Sequence, residues 1–411
     1  MQFHQHVLAN GLTLLGETNP HARSVALGFF VSTGARDETP AEDGVTHFLE
    51  HMIFKGTPNR TADQVNRDFD RIGAAYNAYT SEENTVFHAA VLPEYLPTAV
   101  DVLTDILRPS LRGTDFDMEK NVILEEIGMY DDQPMWAAYD VAKRLYFNGH
   151  PLGSSVLGTK ESVGALTRDQ MQDYFDRRYV APNITVVATG NYEWQELVRW
   201  IGDRCSGWPR GDVKRAVTPA CPGDRRQVIR RENVVQEHTF MLSAGPAADD
   251  PLRYAAEVLA NAIGDDTGSR FYWSLVDPGH VEAADCSYHE YHGAGVFYSY
   301  FSSDPDLAAQ NIATIRKVLR EVREHGLTDE EIRQAKTKIG SRIVRSGEKP
   351  MGRMQALGFA WIYLHSYHTV DDDLAAIDAV DKHQIRQLLE KYPFEPLTTV
   401  ALGPLPEISS A

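Results

Sequence analysis

The sequence predicts an α+β protein made of two related halves, and three observations carry that expectation. Thr85-Val-Phe-His-Ala-Ala-Val and Gly295-Val-Phe-Tyr-Ser-Tyr-Phe are strand-like runs, and each meets a proline and then an amphipathic helical pattern. Both patterns lead through a turn to a second long helix, opened by Thr114-Asp-Phe-Asp in one case and Leu327-Thr-Asp-Glu in the other. The offset stays near 211 residues, the separation of Leu96 and Leu307, about half of the 411-residue chain. The third observation lies between the copies: the stretch from Ser206-Gly-Trp-Pro-Arg-Gly-Asp to Pro222-Gly-Asp-Arg-Arg is rich in Pro, Gly and Arg and lacks periodic apolar residues, the composition of a linker. The expected organisation is therefore 1–205, a linker over 206–227, and 228–411, each half carrying a mixed, largely antiparallel sheet with helices on one side.

Composition narrows the function classes. The chain is 43% hydrophobic and 24% charged, ordinary for a globular protein. With 40 basic and 58 acidic side chains its net charge is −18, which repels phosphate backbones and anionic headgroups; no nucleic acid is expected as partner. No run approaches the roughly 18 apolar residues of a membrane span, so none is expected. The N-terminal MQFHQHVLANGLTLLGE lacks the marks of a targeting peptide. Cys205, Cys221 and Cys286 are few and without CxxC spacing, which argues against a disulfide framework. A cytoplasmic location fits, or a periplasmic one after removal of a signal peptide.

Taken in order, the first helix is expected within 43–54, where Val45, Phe48, Leu49, Met52 and Ile53 repeat at helical spacing and Gly56 follows as a stop. A second spans Leu96 to Leu107, and a third Thr114 to Tyr130, with Val122, Ile123 and Ile127 as its buried side. In the second half a helix runs from Leu307 to Val322, and Pro404 to Ala411 is expected to be a loose tail. Two tempting clusters carry no chemistry. His289-Glu-Tyr-His292 adjoins a strand, where that spacing sends the histidines to opposite faces. Gly264-Asp-Asp-Thr-Gly268 lacks the Lys-Ser/Thr ending of a phosphate loop and reads as a turn.

The first helix contains His47-Phe-Leu-Glu50-His51. Residues four apart stack on one helical face, so the two imidazoles project together with Glu50 beside them, while the apolar residues take the other side. Two such imidazoles can grip one Zn²⁺ and leave a position for water within reach of Glu50. A third ligand is expected from the helix over 114–130. Glu119 and Glu126 are seven apart, two turns along one face, whereas Glu125 points elsewhere. Glu126 is thus the expected ligand and Glu119 the carboxylate that orients an imidazole.

At this point the chain resembles the pitrilysin-type zinc metallopeptidases, the inverzincins with H-x-x-E-H, and most of all their shorter mitochondrial-processing-peptidase-like branch. Besides His47 to His51 the resemblance rests on Met52-Ile-Phe-Lys-Gly-Thr, Asn77-Ala-Tyr-Thr-Ser, Glu119 with Glu126, His150-Pro-Leu-Gly with Leu157-Gly-Thr, and Tyr179-Val-Ala-Pro-Asn. It implies a zinc endopeptidase with one zinc per chain, Glu50 as the base that takes and returns the water's proton, and peptide or unfolded protein as substrate. It also implies that Asn77, Ala78, Tyr79 and Thr80 form the strand edge to which an extended peptide adds.

The second half departs from that pattern. Ser269-Arg-Phe-Tyr and Leu275 are kept, but Val276 stands where the family places an arginine and Ala283 where it places a tyrosine. Nor does the duplication supply another metal site, since the positions about 211 beyond His47 and His51 fall in Val258-Leu-Ala-Asn-Ala, and Glu126 maps near Thr337 or Lys338. Within the family such a split implies a homologous partner subunit that brings the arginine and tyrosine, otherwise a homodimer. Two other readings follow: a self-sufficient enzyme, with Arg270 or another residue in their place, or a noncatalytic core or assembly subunit.

Overall fold

The computed structural model describes residues 1–220 and 222–408; Cys221 and the last three residues of the expected tail lie outside them. The chain forms two compact units, 1–128 with 154–216 and 345–367, and 129–153 with 217–344 and 368–411. Two segments are therefore exchanged relative to a single cut along the chain. The physical cause lies in which sheet each exchanged helix covers.

In the first unit the strands are β1 (Gln2–Val7), β2 (Thr13–Thr18), β3 (Val25–Val31), β4 (Ala75–Thr80), β5 (Thr85–Val91) and β6 (Ile184–Gly190), in the order β1-β2-β6-β3-β5-β4. All seven residues of β3, Val-Ala-Leu-Gly-Phe-Phe-Val, are buried because both faces of this strand are covered. Val25, Leu27, Phe29 and Val31 point into the larger core, shared with helices α1 (Val45–Ile53), α2 (Ala62–Arg71), α3 (Leu96–Ile106), α4 (Gly113–Asp131), α7 (Arg168–Arg178) and α8 (Trp194–Cys205). The short α6 (Lys160–Ala165) adds Val163 to that core. Ala26 and Phe30 point the other way, towards Met354 and Leu357 of α12 (Pro350–Leu364). That helix lies close: a Cβ on Gly358 would stand 2.3 Å from the Phe30 ring. Arg353 anchors it through two hydrogen bonds donated to buried Glu17, at 3.0 and 2.7 Å.

The second unit repeats this plan. Its strands β7 (Arg226–Arg230), β8 (Glu237–Gly245), β9 (Ala283–Tyr291), β10 (Ala294–Ser303) and β11 (Thr398–Gly403) follow the order β7-β11-β8-β10-β9. The parallel pair β11·β7 answers to β2·β6 in the first unit, and the hairpin β9·β10 to β4·β5. One face packs on helices α9 (Arg253–Gly264), α10 (Ala308–His325), α11 (Asp329–Gly347), α13 (Val370–Asp378) and α14 (Lys382–Lys391). The other is closed by α5 (Pro134–Phe147), whose Ala138, Ala142 and Tyr146 meet Phe240, Leu242 and Val400. Each sheet thus carries its main helical layer on one face, as expected. The opposite face, which periodicity could not show to be apolar on a strand buried on both sides, takes one helix from the other half of the sequence.

The duplication is also more regular than its sequence trace. Helices α4 and α11 both have 19 residues, and each is followed by a helix opened by proline, Pro134 and Pro350. α10 is longer than α3, 18 residues against 11, so the offset grows along the repeat and sets Glu126 against Arg342, not against Thr337 or Lys338. Cys205 and Cys286 are free and buried. Among the described residues no helix is long and apolar enough to cross a membrane.

Candidate metal centre

Helix α1 begins at Gly44, whose φ of 91° favours glycine and whose added Cβ would meet the Leu157 carbonyl at 2.8 Å. The Glu38 carboxylate accepts from the amides of Gly44 and Thr46, at 2.8 and 2.7 Å, and so satisfies the open first turn. Val45, Phe48, Leu49, Met52 and Ile53 enter the core, and Phe48 stacks on Phe116 of α4 with ring centres 4.6 Å apart. That packing turns the opposite face of α1 towards Glu119 and Glu126.

His47, His51 and Glu126 each place one ligand atom within 4.8 Å of the others. Glu126 Oε2 lies 3.9 Å from His47 Nε2 and 3.6 Å from His51 Nε2. Glu119 sits where the spacing put it: its Oε1 accepts from His51 Nδ1–H at 2.9 Å, which leaves the His51 Nε2 lone pair directed at Glu126. Lys55 Nζ, 2.6 Å from Glu119 Oε2, steadies that carboxylate. The sequence reading missed Lys55, although its place in Lys-Gly-Thr, four residues after His51, is the helical spacing that could have found it.

Electrostatics fit the arrangement. Burial, with the neighbouring His51, pushes the His47 imidazole down to about 3, so it is neutral and its approach to Glu126 is no ion pair. Burial disfavours the His51 cation, but the hydrogen bond to Glu119 and the surrounding carboxylates outweigh it and hold His51 above its ordinary value. Burial also disfavours the charge on Glu119, yet its bonds with His51 and Lys55 keep it below the usual carboxylate range. Glu50 is raised by burial, with Thr80 and His51 opposing and Glu126 reinforcing.

Three lone-pair atoms that face one another need a proton or a cation between them. Tetrahedral zinc with bonds of about 2.0–2.1 Å sets its ligand atoms about 3.3–3.4 Å apart, somewhat less than the 3.6 and 3.9 Å from Glu126 Oε2 to the two imidazoles, and two imidazoles with a carboxylate are a donor set zinc accepts. The residues present therefore fit the ion. Their support is uneven, because buried His47 Nδ1 finds no hydrogen-bond partner among the described residues.

Thr80 and its neighbours lie on β4, the edge strand of the first sheet. The Thr80 hydroxyl donates to Glu50 Oε2 at 2.8 Å, so this residue holds the carboxylate as well as belonging to the edge. Asn77 is exposed and its Oδ1 accepts from the Ala78 amide at 2.9 Å. Tyr79 is half-buried beside His88.

The family profile described as Insulinase (Peptidase family M16) matches residues 13–160, and the one described as Peptidase M16 inactive domain matches residues 165–339. An uncharacterized zinc protease of Streptomyces coelicolor is 32% identical over 409 residues, covering 97% of this chain and 89% of the relative. The chain belongs to the M16 peptidase family. Its fold is shared with a protease from Helicobacter pylori (TM-score 0.91, 19% identity, 98% of this chain and 99% of the other). It is shared equally with a peptidase M16 inactive domain from Pseudomonas fluorescens (TM-score 0.92, 16% identity, 100% and 99%).

Among the described residues of this M16 chain the second half holds no counterpart of the cluster. On α9 the equivalent stretch Val258 to Ile263 is buried and, apart from Asn261, apolar. Val276 ends a π-helical turn, Tyr272–Val276, against the second core, and Ala283 opens β9, exposed. Arg270, the suggested stand-in, is committed to Glu331 through bonds of 2.6 and 3.0 Å and also donates to the Gly326 carbonyl.

Proposed function

We propose that this chain is a zinc endopeptidase acting on peptides or unfolded protein segments, with His47, His51 and Glu126 as ligands and Glu50 as base. The observation that carries the proposal is the convergence of His47 Nε2, His51 Nε2 and Glu126 Oε2, with Glu50 on the same helix. When bound, zinc supplies Lewis acidity to the attacking water and to the scissile carbonyl. Glu50 takes the water's proton at its carboxylate and returns it to the leaving nitrogen. Its raised affinity for protons, caused first by burial, suits a group that must hold one between the two transfers. Thr80 fixes one Glu50 oxygen and leaves the other for that exchange. Glu119, backed by Lys55, keeps the His51 proton on Nδ1 and its lone pair on Nε2. An extended peptide adds to the open edge of β4 along Asn77 to Thr80, which reads main chain more than side chains.

Val276 and Ala283 offer no hydrogen-bond donor, and Arg270 is already engaged, so the arginine and tyrosine come from a homologous partner subunit. The alternative is a noncatalytic assembly subunit, favoured by the second half's match to an inactive domain. Elemental analysis of the purified chain separates the two, since the peptidase carries one zinc and the assembly subunit none. Peptide hydrolysis is then compared for the chain alone and after isolation with its native partners; full activity alone removes the partner from the proposal.

A further inference from the structure

Residues 206–220 and 222–225 form neither helix nor strand, yet the side chain of Arg215 among them is only 11% exposed. Its guanidinium grips Asp37, Nε to Oδ1 at 3.0 Å and Nη2 to Oδ2 at 2.7 Å. Nη2 also donates to the Glu83 carbonyl, and Nη1 lies 3.6 Å from the Glu83 carboxylate. One linker side chain thus joins two separate segments, 34–38 and 81–84. Charge balance does not call for it, because Arg36 pairs with Glu83 at 2.7 Å and Arg178 with Asp37 at 2.8 Å, one cation for each carboxylate.

Both segments lead directly to the metal centre. Asp37 precedes Glu38, whose carboxylate caps the first turn of α1 just before His47. A second route leaves the same cluster: Arg178 Nε donates to Thr33 Oγ1, Thr33 bonds Tyr174, and Tyr174 bonds Thr46, at 2.9, 2.9 and 2.6 Å. Residues 81–84 join β4 to β5 and follow Thr80, which holds Glu50. The segments also touch each other, with the amides of Ala35 and Arg36 donating to the carbonyls of Ser81 and Glu82. Gly34 comes so near that an added Cβ would lie 2.4 Å from the Ser81 oxygen.

We infer that Arg215 is a positioning residue, through which the linker sets the alignment of the Glu50 carboxylate with the His47–His51 face of α1. This rests on the peptidase reading. A docked linker holds the α1 cap and the β4–β5 turn in register; a lifted one leaves both intact but free to shift, and small misplacements of a catalytic group cost up to about a hundredfold in rate.

The test compares Arg215→Ala with Arg210→Ala, the latter a linker arginine that donates to the Ala9 carbonyl, away from segments 34–38 and 81–84. Both are made in the assembly in which the wild type is active. Arg215→Ala is expected to keep its zinc and a KM within about twofold of wild type, while kcat falls about tenfold to a hundredfold. Added guanidinium ion restores part of that loss, a rescue that a global packing defect would not show. Arg210→Ala stays near wild type. In metal-free protein, hydrogen exchange is expected to speed up at 34–46 and 80–84 alone. Unchanged kcat and exchange in Arg215→Ala, an equal loss in Arg210→Ala, or a loss without rescue and with exchange raised throughout the unit each overturn the inference. Because the exchange measurement needs neither zinc nor turnover, it decides the role of Arg215 even if the chain proves not to be a peptidase.

Discussion

In the first half α4 turns Glu119 and Glu126 towards α1; in the second the equally long α11 turns Lys338 and Arg342 towards Asp265 at the end of α9. The second contact closes on its own charges, with Lys338 Nζ 2.5 Å and Arg342 3.9 Å from the Asp265 carboxylate. The first leaves three lone-pair atoms facing one another. One half pairs its own charges, while the other gathers the donor set that the proposed function assigns to a cation. The same fold thus tolerates either solution, because the four helices are held first by their apolar faces in the two cores, and what lies between their polar ones adds a smaller contribution.

The comparison breaks hardest at Glu50. Glu50→Gln keeps both imidazoles and Glu126, so zinc content by elemental analysis stays at the wild-type level while peptide hydrolysis falls by about a hundredfold to ten-thousandfold. Loss of the metal together with activity would instead make Glu50 a ligand.

Chelation should separate the halves. A ligand present at about a hundred times its dissociation constant stabilises the folded state by about 2.7 kcal/mol, and that is the stability expected to vanish when zinc is stripped. Hydrogen exchange is expected to quicken in α1 and α4 and to stay unchanged in α9 and α11. Equal quickening in both halves would contradict the contrast drawn between them.

The smallest effect tests the self-contained contact. Lys338→Met removes the nearer cation from Asp265 but leaves Arg342, and the pair is partly exposed, so a loss of about 1 kcal/mol is expected in urea unfolding, with zinc content unaffected.

Much of the candidate site could be read along the chain, because its spacing is local. Four residues separate His47 from His51 and seven separate Glu119 from Glu126, and each interval is a property of a helix whatever surrounds it. The preference for Glu126 over Glu125 follows from the same geometry. Lys55, Thr80 and Arg215 were harder for a graded reason. Lys55 is one helical turn past His51, but its partner is on another helix. Thr80 approaches Glu50 from a strand 30 residues on, and Arg215 reaches Asp37 across 178. No periodicity links such pairs. The strands followed the same rule: β5 runs over Thr85–Val91 as its apolar run indicates, whereas the reach of β3 into two cores was hidden in a sequence with no polar face to mark.

By itself, then, the amino-acid order determined the duplication, the helices, and the donor atoms each helix would show on one face, since these depend on intervals of a few residues. Folding in three dimensions decided the rest: that α5 and α12 are exchanged between the sheets, that Thr80 rather than a neighbour holds Glu50, and that a linker arginine ties two distant segments. Those choices turn on which apolar faces and buried charges find each other across the chain, and contacts of that kind leave no mark at short range.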